Sequence, residues 1–246
     1  MAAIAPTPAT RGAAPRTGEW LRLLAGVTGV VALVDLAFIA LVREVIPPLV
    51  VAAALTGIGI ALVRRFPRIA AIVLGLTSAL MLTGALQFGA EHLAHPSSGI
   101  DFSHAAIGIL GRIIAIAAAV MALRRTSGSG ARRLAAVSVG LLGVTLVVAG
   151  VATVAAAGDQ AEPGDVVTAI VDHDFADRIE VAAGDTVLVD NQEPFRHTFT
   201  VEGTAIDVVV PASQGVRIPI DLAPGTYPVM CAIPGHEAMD ATLTVR

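Results

Sequence analysis

The sequence predicts two parts of different class: an all-α domain of five transmembrane helices, followed by an all-β sandwich with Greek-key connections. Three observations carry this. Of the 246 residues, 55% are apolar and 15% charged, with a mean hydropathy of +0.77, whereas soluble domains run near about 45–50% apolar and ~25% charged. The first 157 residues hold five apolar stretches of spanning length, and beyond residue 164 the periodicity changes from helical to alternating. The charge reverses at the same place. Residues 1–158 carry twelve Arg against five acids, a balance of +7, and residues 159–246 carry four Arg against fifteen acids, a balance of −11. Halves this unequal face different surroundings.

Residues 1–18 are expected to form a disordered cytoplasmic tail and residues 19–157 a five-span membrane domain. The stretches are Trp20–Val42, Val45–Val63, Ile69–Ala90, Ala105–Leu123 and Leu134–Ala157. Each has enough residues to cross the ~30 Å hydrocarbon core as a helix. Pro47 and Pro48 stand at the start of the second, where proline is tolerated. Five spans in a row exclude a single cleavable leader. Arg11, Arg16 and Arg22 precede or open the first span, Arg64, Arg65 and Arg68 fill the second loop, and Arg124, Arg125, Arg132 and Arg133 fill the fourth. The first and third loops are poor in Arg. This alternation places the N-terminus in the cytoplasm and everything after Ala157 outside. The basic residues are all Arg, with no Lys, which fits a GC-rich bacterial source and a multi-pass protein of the bacterial cell membrane.

Two ionisable residues fall inside spans, Asp35 in the first and Arg112 in the fourth. Buried charges in a bilayer cost several kcal/mol unless paired, and their matched depths predict an ion pair between those helices. The third loop holds His92 and His95, with Asp101 and His104 close behind. It reads either as a set of interfacial polar residues or as a transient metal-binding loop. Asp101, His104, Gly108 and Gly111 recur at i, i+3, i+7 and i+10, a polar and small-residue face suited to helix packing.

Residues 158–164 form a polar linker, and residues 165–246 a separate folded unit. Eight candidate strands follow: Val166–Val171, Arg178–Val181, Thr186–Asp190, Thr198–Val201, Ile206–Val210, Val216–Asp221, Thr226–Cys231 and Ala241–Val245. Turn residues separate them, among them Ala183-Gly184-Asp185 and Ala223-Pro224-Gly225. Short strands at this spacing indicate a small sandwich. The acidic balance of this part argues against nucleic-acid binding, which needs a basic face.

The chemistry-bearing residues gather at the end of the chain. Cys231, the single cysteine, is followed by Ala-Ile-Pro-Gly, His236 and, three residues on, Met239; His197 lies thirty-four residues upstream. Two imidazoles and a thiolate in a trigonal plane, with a distant thioether, are the ligand set of a blue-copper site. The run Gly225–Val245, with the upstream Ala-Gly-Asp-Thr-Val, Asn191 and His197-Thr198, resembles the cupredoxins of the plastocyanin/azurin type. The resemblance covers Asp165–Arg246 and implies an eight-stranded cupredoxin-like sandwich holding one mononuclear type 1 copper. His197, Cys231 and His236 are then the metal ligands and Met239 the axial one, although the two-residue gap from His236 to Met239 is shorter than in many relatives. It also implies that the Thr198 backbone N–H bonds the thiolate.

Multicopper oxidases join the type 1 Cys directly to a His, but Cys231 is flanked by Met230 and Ala232; a dinuclear centre needs two cysteines. No catalytic site is expected. The function this predicts is single-electron transfer outside the cytoplasm by a membrane-anchored blue-copper protein, its partners being the lipid bilayer and redox proteins. The alternative is a copper-binding module for storage, sensing or delivery coupled to the membrane domain. His173, between Asp172 and Asp174, is expected to be solvated.

Overall fold

A computed structural model describes residues 18–43, 45–236 and 238–246; the expected tail, apart from Gly18, lies outside them. Gly18 itself opens the first helix. The helical part consists of α1 (Gly18–Val42), α2 (Pro47–Leu62), α3 (Pro67–Gly89), α4 (Gly99–Leu123) and α5 (Ser129–Ala155), with a 3-10 turn at Ala90–Ala94. Four helices are long and apolar enough to cross a membrane. The fifth, α2, has 16 residues, a length of about 24 Å. Proline sets its start at Pro47 and it stops before Arg64-Arg65, so it is shorter than the apolar run that predicted it. Helix α4 begins six residues earlier than expected, bringing Asp101 and His104 onto its first two turns.

Beside a few large side chains such as Trp20, Leu24 and Leu74, the helices bury mainly small residues and expose many large ones. Ala70, Ala71, Ala105, Ala115, Ala118 and Ala119 are buried, whereas Leu33, Leu76, Val139 and Val154 are 66–89% exposed. That is the reverse of a water-soluble bundle and suits helices that meet lipid outside and pack closely inside. Gly111 shows the closeness: a Cβ there would lie 2.4 Å from Val31 Cγ2, so only glycine lets α1 and α4 approach.

At that contact Arg112 Nη2 donates to Asp35 Oδ2 at 2.7 Å, joining α4 to α1 as expected. His104 Nε2 lies 3.1 Å from the other oxygen, Asp35 Oδ1. The pair has a third member that spacing did not reveal. Asp35 and Arg112 are each about 95% buried.

The C-terminal part has eight strands: β1 (Val166–Ile170), β2 (Arg178–Val181), β3 (Thr186–Asn191), β4 (His197–Val201), β5 (Asp207–Val210), β6 (Gly215–Pro219), β7 (Gly225–Met230) and β8 (Asp240–Val245). They form two sheets, ordered β1-β3-β6 and β2-β8-β7-β4-β5. The β1–β3 and β2–β8 pairings are parallel and the rest antiparallel. Ile170, Val187 and Val189 meet Phe199, Val229 and Leu243 in a common core.

Linker residues strap the sandwich to its own sheet. Asp159 N–H donates to the Gly215 carbonyl and Arg217 N–H to Asp159 Oδ2, each at 2.8 Å. The Arg217 guanidinium makes two bonds to Asp165, at 2.8 and 3.0 Å. This pairing holds the Asp165 carboxyl below its ordinary 3.8 and the Arg217 guanidinium above its ordinary value. The pairing therefore favours the fold above pH 3.8, and its contribution is lost as pH falls through the lowered value.

Removing one partner of the Asp35–Arg112 pair leaves a charge without compensation, a cost of about 3–5 kcal/mol for a buried pair. Asp35→Asn or Arg112→Gln should lower the amount of folded protein accumulating in membranes, and the double variant should recover much of it. Quantitative immunoblotting of membrane fractions decides this; single variants that accumulate normally would show that the charges do not depend on each other.

Candidate metal centre

Neighbouring strands β4 and β7 bring His197, the first residue of β4, to the same end of the sheet as Cys231, which directly follows β7. His236 comes from the β7–β8 loop. That loop is tight: His236 N–H donates to Ile233 O, Met239 N–H to His236 O and Cys231 N–H to Met239 O, at 3.0, 2.9 and 3.1 Å. Gly235 turns it with φ +97°, a conformation that side chains disfavour.

The sulfur of Cys231 lies 3.9 Å from His197 Nδ1 and 3.6 Å from His236 Nδ1. His197, Cys231 and His236 are the group of potential metal donors found among the described residues, one atom from each lying within 4.8 Å of the others. The spacing can be tested against a bound metal. A first-row ion held at ~2.0–2.1 Å from nitrogen and ~2.3 Å from sulfur, with trigonal angles, separates the two donors by about 3.8 Å. The observed 3.6 and 3.9 Å fit.

His197 and Cys231 are 0% and 1% exposed, and Met239 is 2% exposed in the same core cluster as Cys231. Thr198 N–H points at the sulfur at 3.4 Å, where it stabilises a thiolate. The Thr198 hydroxyl lies 3.9 Å from the sulfur and accepts the Ala232 N–H at 2.7 Å. Burial pushes His197 below its ordinary 6.5, against the opposing pull of Glu193. The ring is therefore neutral at pH 7, the form that ligates a metal.

Two residues of this region, Glu193 and Arg196, were not singled out by sequence. Glu193 is buried and accepts from His197 Nε2 at 2.8 Å. This fixes Nδ1 as the free, inward-facing nitrogen, the usual arrangement around metal-bound histidine. Its i, i+4 spacing to His197 was the available signal. Asn191 closes the loop that carries both residues, donating to Phe195 O at 2.7 Å and accepting from Glu193 N–H at 3.0 Å. His173 is not solvated as expected. Its Nδ1 lies 3.3 Å from Glu193 Oε1, and its ring centre is 5.8 Å from those of both His197 and His236. A tight turn at 171–174 folds it back over the site.

The second is Arg196, 1% exposed, which docks the site end of the sandwich on the helices. Its N–H donates to Asp101 Oδ2 at 2.7 Å, and its Nη1 pairs with Glu91 Oε1 at 2.9 Å. Nearby, Ala212 N–H donates to Ser98 Oγ at 3.2 Å. Phe195 meets Phe38 edge-on at 5.6 Å, and Phe38 stacks on His104 at 4.0 Å. The third-loop histidines do not group as metal donors among the described residues; His104 instead pairs with Asp35.

Residues 141–245 match the family model of the cupredoxin-like domain. The C-terminal part is a cupredoxin domain. The match spans less than half of the chain and begins inside α5. Among solved structures, the chain is similar to a reduced Cu(I) form of an amicyanin variant at pH 4, with 22% identity over 37% of this chain and 90% of that one and a TM-score of 0.31. It is also similar to an oxidised amicyanin variant, with 22% identity over 36% and 87% and a TM-score of 0.31. No curated protein matches the chain. A cupredoxin domain implies copper, and His197, Cys231 and His236 are its candidate site.

Glu193→Ala should weaken metal binding about 10–100-fold, the usual effect of losing the partner that orients a histidine ligand. Glu193→Gln, which keeps an acceptor, should lose less. Titration of the full-length protein against a competing chelator measures both; equal affinity in the Ala variant would show that Glu193 does not orient His197.

Proposed function

We propose that the protein is a membrane-bound electron carrier that uses one mononuclear type 1 copper outside the cytoplasm. The observation that carries this is the geometry around Cys231 Sγ, with the Nδ1 atoms of two imidazoles at 3.9 and 3.6 Å. His197, Cys231 and His236 would hold the ion, with Met239 as a weak axial donor. When bound, copper supplies a one-electron Cu(II)/Cu(I) couple. The residues do the rest. Glu193 and the Thr198 amide fix an imidazole and the sulfur, and the core around Met239 excludes water. The tight β7–β8 loop keeps the donors from rearranging. The partners in this reading are redox proteins and the lipid bilayer, and the protein carries electrons rather than catalysing a reaction.

A second reading, copper storage, sensing or delivery, is favoured by one observation: the His173 ring, 25% exposed, stands beside two of the candidate ligands.

Full-length protein in detergent should develop an intense thiolate-to-copper band with Cu(II), and Cys231→Ser should abolish it. Met239→Leu should keep the band and raise the reduction potential, because losing a donor favours Cu(I). A wild-type protein without the band would refute the type 1 centre, and a Met239→Leu protein unchanged in spectrum and potential would remove Met239 from the ligand set.

The placement outside the cytoplasm is supported by the alternation of Arg-rich connections, Arg64-Arg65 and Arg124-Arg125 standing at one end of the helices. A periplasm-active reporter should work when fused after Arg246 and be silent when fused at Ser127. The opposite pattern would invert the topology.

A further inference from the structure

We propose that the groove between α1, α4 and α5 binds one anionic phospholipid, with an acyl chain lying between the helices and the phosphate on Arg22 and Arg132. The inference concerns the helical part alone and does not depend on what the metal centre holds.

Helix α5 is held near its two ends. At the Arg-rich end Trp20 Nε1 donates to the Ser127 carbonyl at 2.9 Å, and a Cβ on Gly130 would lie 3.0 Å from the Trp20 ring. At the other end the Thr153 hydroxyl donates to the Ser97 carbonyl at 3.1 Å. Of the 27 residues of α5, Ala131, Thr145 and Ala149 are the buried ones. Between the two ends the helices stand apart, and all three line a groove of about 570 Å³. That lies within the ~300–1,000 Å³ of small-molecule sites. Its walls are apolar, among them Val27, Val30, Leu110, Ile114 and Leu142. Gly26 leaves room in the wall, since a Cβ there would meet nothing within 4 Å.

Length and charge choose the occupant. The lining runs along α1 from Glu19 to Val31, a rise of about 18 Å. The hydrocarbon core is ~30 Å thick, so the groove ends near mid-membrane and has the depth of one leaflet. A partner's spanning helix, ~10–12 Å wide, needs the full thickness; an acyl chain needs one leaflet. The apolar walls end at Arg22, Arg132 and Glu19. Arg132 Nε lies 3.5 Å from Glu19 Oε2, and the Arg132 side chain is 77% exposed. The Arg22 guanidinium is exposed and has no ion-pair or hydrogen-bond partner among the described residues. Two guanidiniums against one carboxylate leave the mouth positive. A guanidinium fork matches phosphate oxygens, and basic pockets between spanning helices take anionic headgroups. A choline headgroup would bring a further cation to the same mouth, so a headgroup without one is favoured. In the topology proposed above this end is cytoplasmic, although the site itself needs only these side chains.

Delipidated full-length protein in detergent is titrated with phosphatidylglycerol or with phosphatidylcholine, and bound molecules are counted by native mass spectrometry. One phosphatidylglycerol should bind per protein, about tenfold tighter than phosphatidylcholine, and the difference should shrink as salt rises. Arg22→Gln combined with Arg132→Gln should abolish that difference by weakening phosphatidylglycerol alone. Gly26→Leu keeps every charge and adds a side chain in open groove, so it should weaken both lipids by a similar factor. It also covers the case in which the Arg variants accumulate poorly. Equal affinity of the wild type for the two lipids would overturn the proposal. So would selective binding that survives Gly26→Leu, because the lipid would then lie outside the groove. A second copy seated there would appear as a dimer that excludes lipid, and an isoprenoid quinone as a co-purified neutral mass; either would overturn the proposal as well.

Discussion

The contact between the Arg196 backbone and Asp101 fixes where the two halves of the molecule meet. Asp101 lies in the first turn of α4 and is buried, as is the whole Arg196 side chain. A guanidinium taken out of water needs a counter-charge, and Glu91 supplies it from the turn that precedes α4. The site follows from this placement. Residues 193–197 face two ways: His197 turns its Nδ1 to the sulfur while Glu193 holds the far edge of that ring, and Phe195 and Arg196 turn to the helices. The same short segment thus carries a candidate ligand, the group that orients it and the dock.

The two halves solve burial differently. The sandwich hides Ile, Val, Phe and Leu between its sheets, and Asn191, buried beside the site, is paired with Phe195 and Glu193. The helices hide many alanines and several hydroxyl side chains beside Trp20, Leu24 and Leu74, and two of those hydroxyls are satisfied locally. Thr28 and Ser78 each donate to the carbonyl four residues back, at 2.8 Å. Helix contact of this kind is held by close fit and by a few strong polar links. The Asp35–Arg112–His104 cluster is such a link between α1 and α4.

What could be read from the sequence divides along physical lines. The eight strands fall within a residue or two of their expected positions because alternation and turn residues are local signals. The Asp35–Arg112 pair was legible because a charge in an apolar span demands a partner, and helical rise fixes its depth. The start of α4 was not, since counting apolar residues passes over Asp101 and His104, whose partners come from Arg196 and Asp35. Nor was His173. A histidine between two aspartates has the pattern of a solvated turn, and only the fold brings it beside His197 and His236. The meeting of His197, Cys231 and His236 at one end of the sheet was expected from their spacing and from the family resemblance. The Glu193 contact needed side-chain positions.

The strap at 158–165 bears on how firmly the dock must hold. A tether this short keeps the sandwich at an effective concentration in the millimolar range at the helix ends. Even a weak interface therefore stays closed inside one chain. It needs neither large area nor high affinity, and the few polar links around Arg196 are enough. Opening it is an intramolecular unlatching, independent of protein concentration.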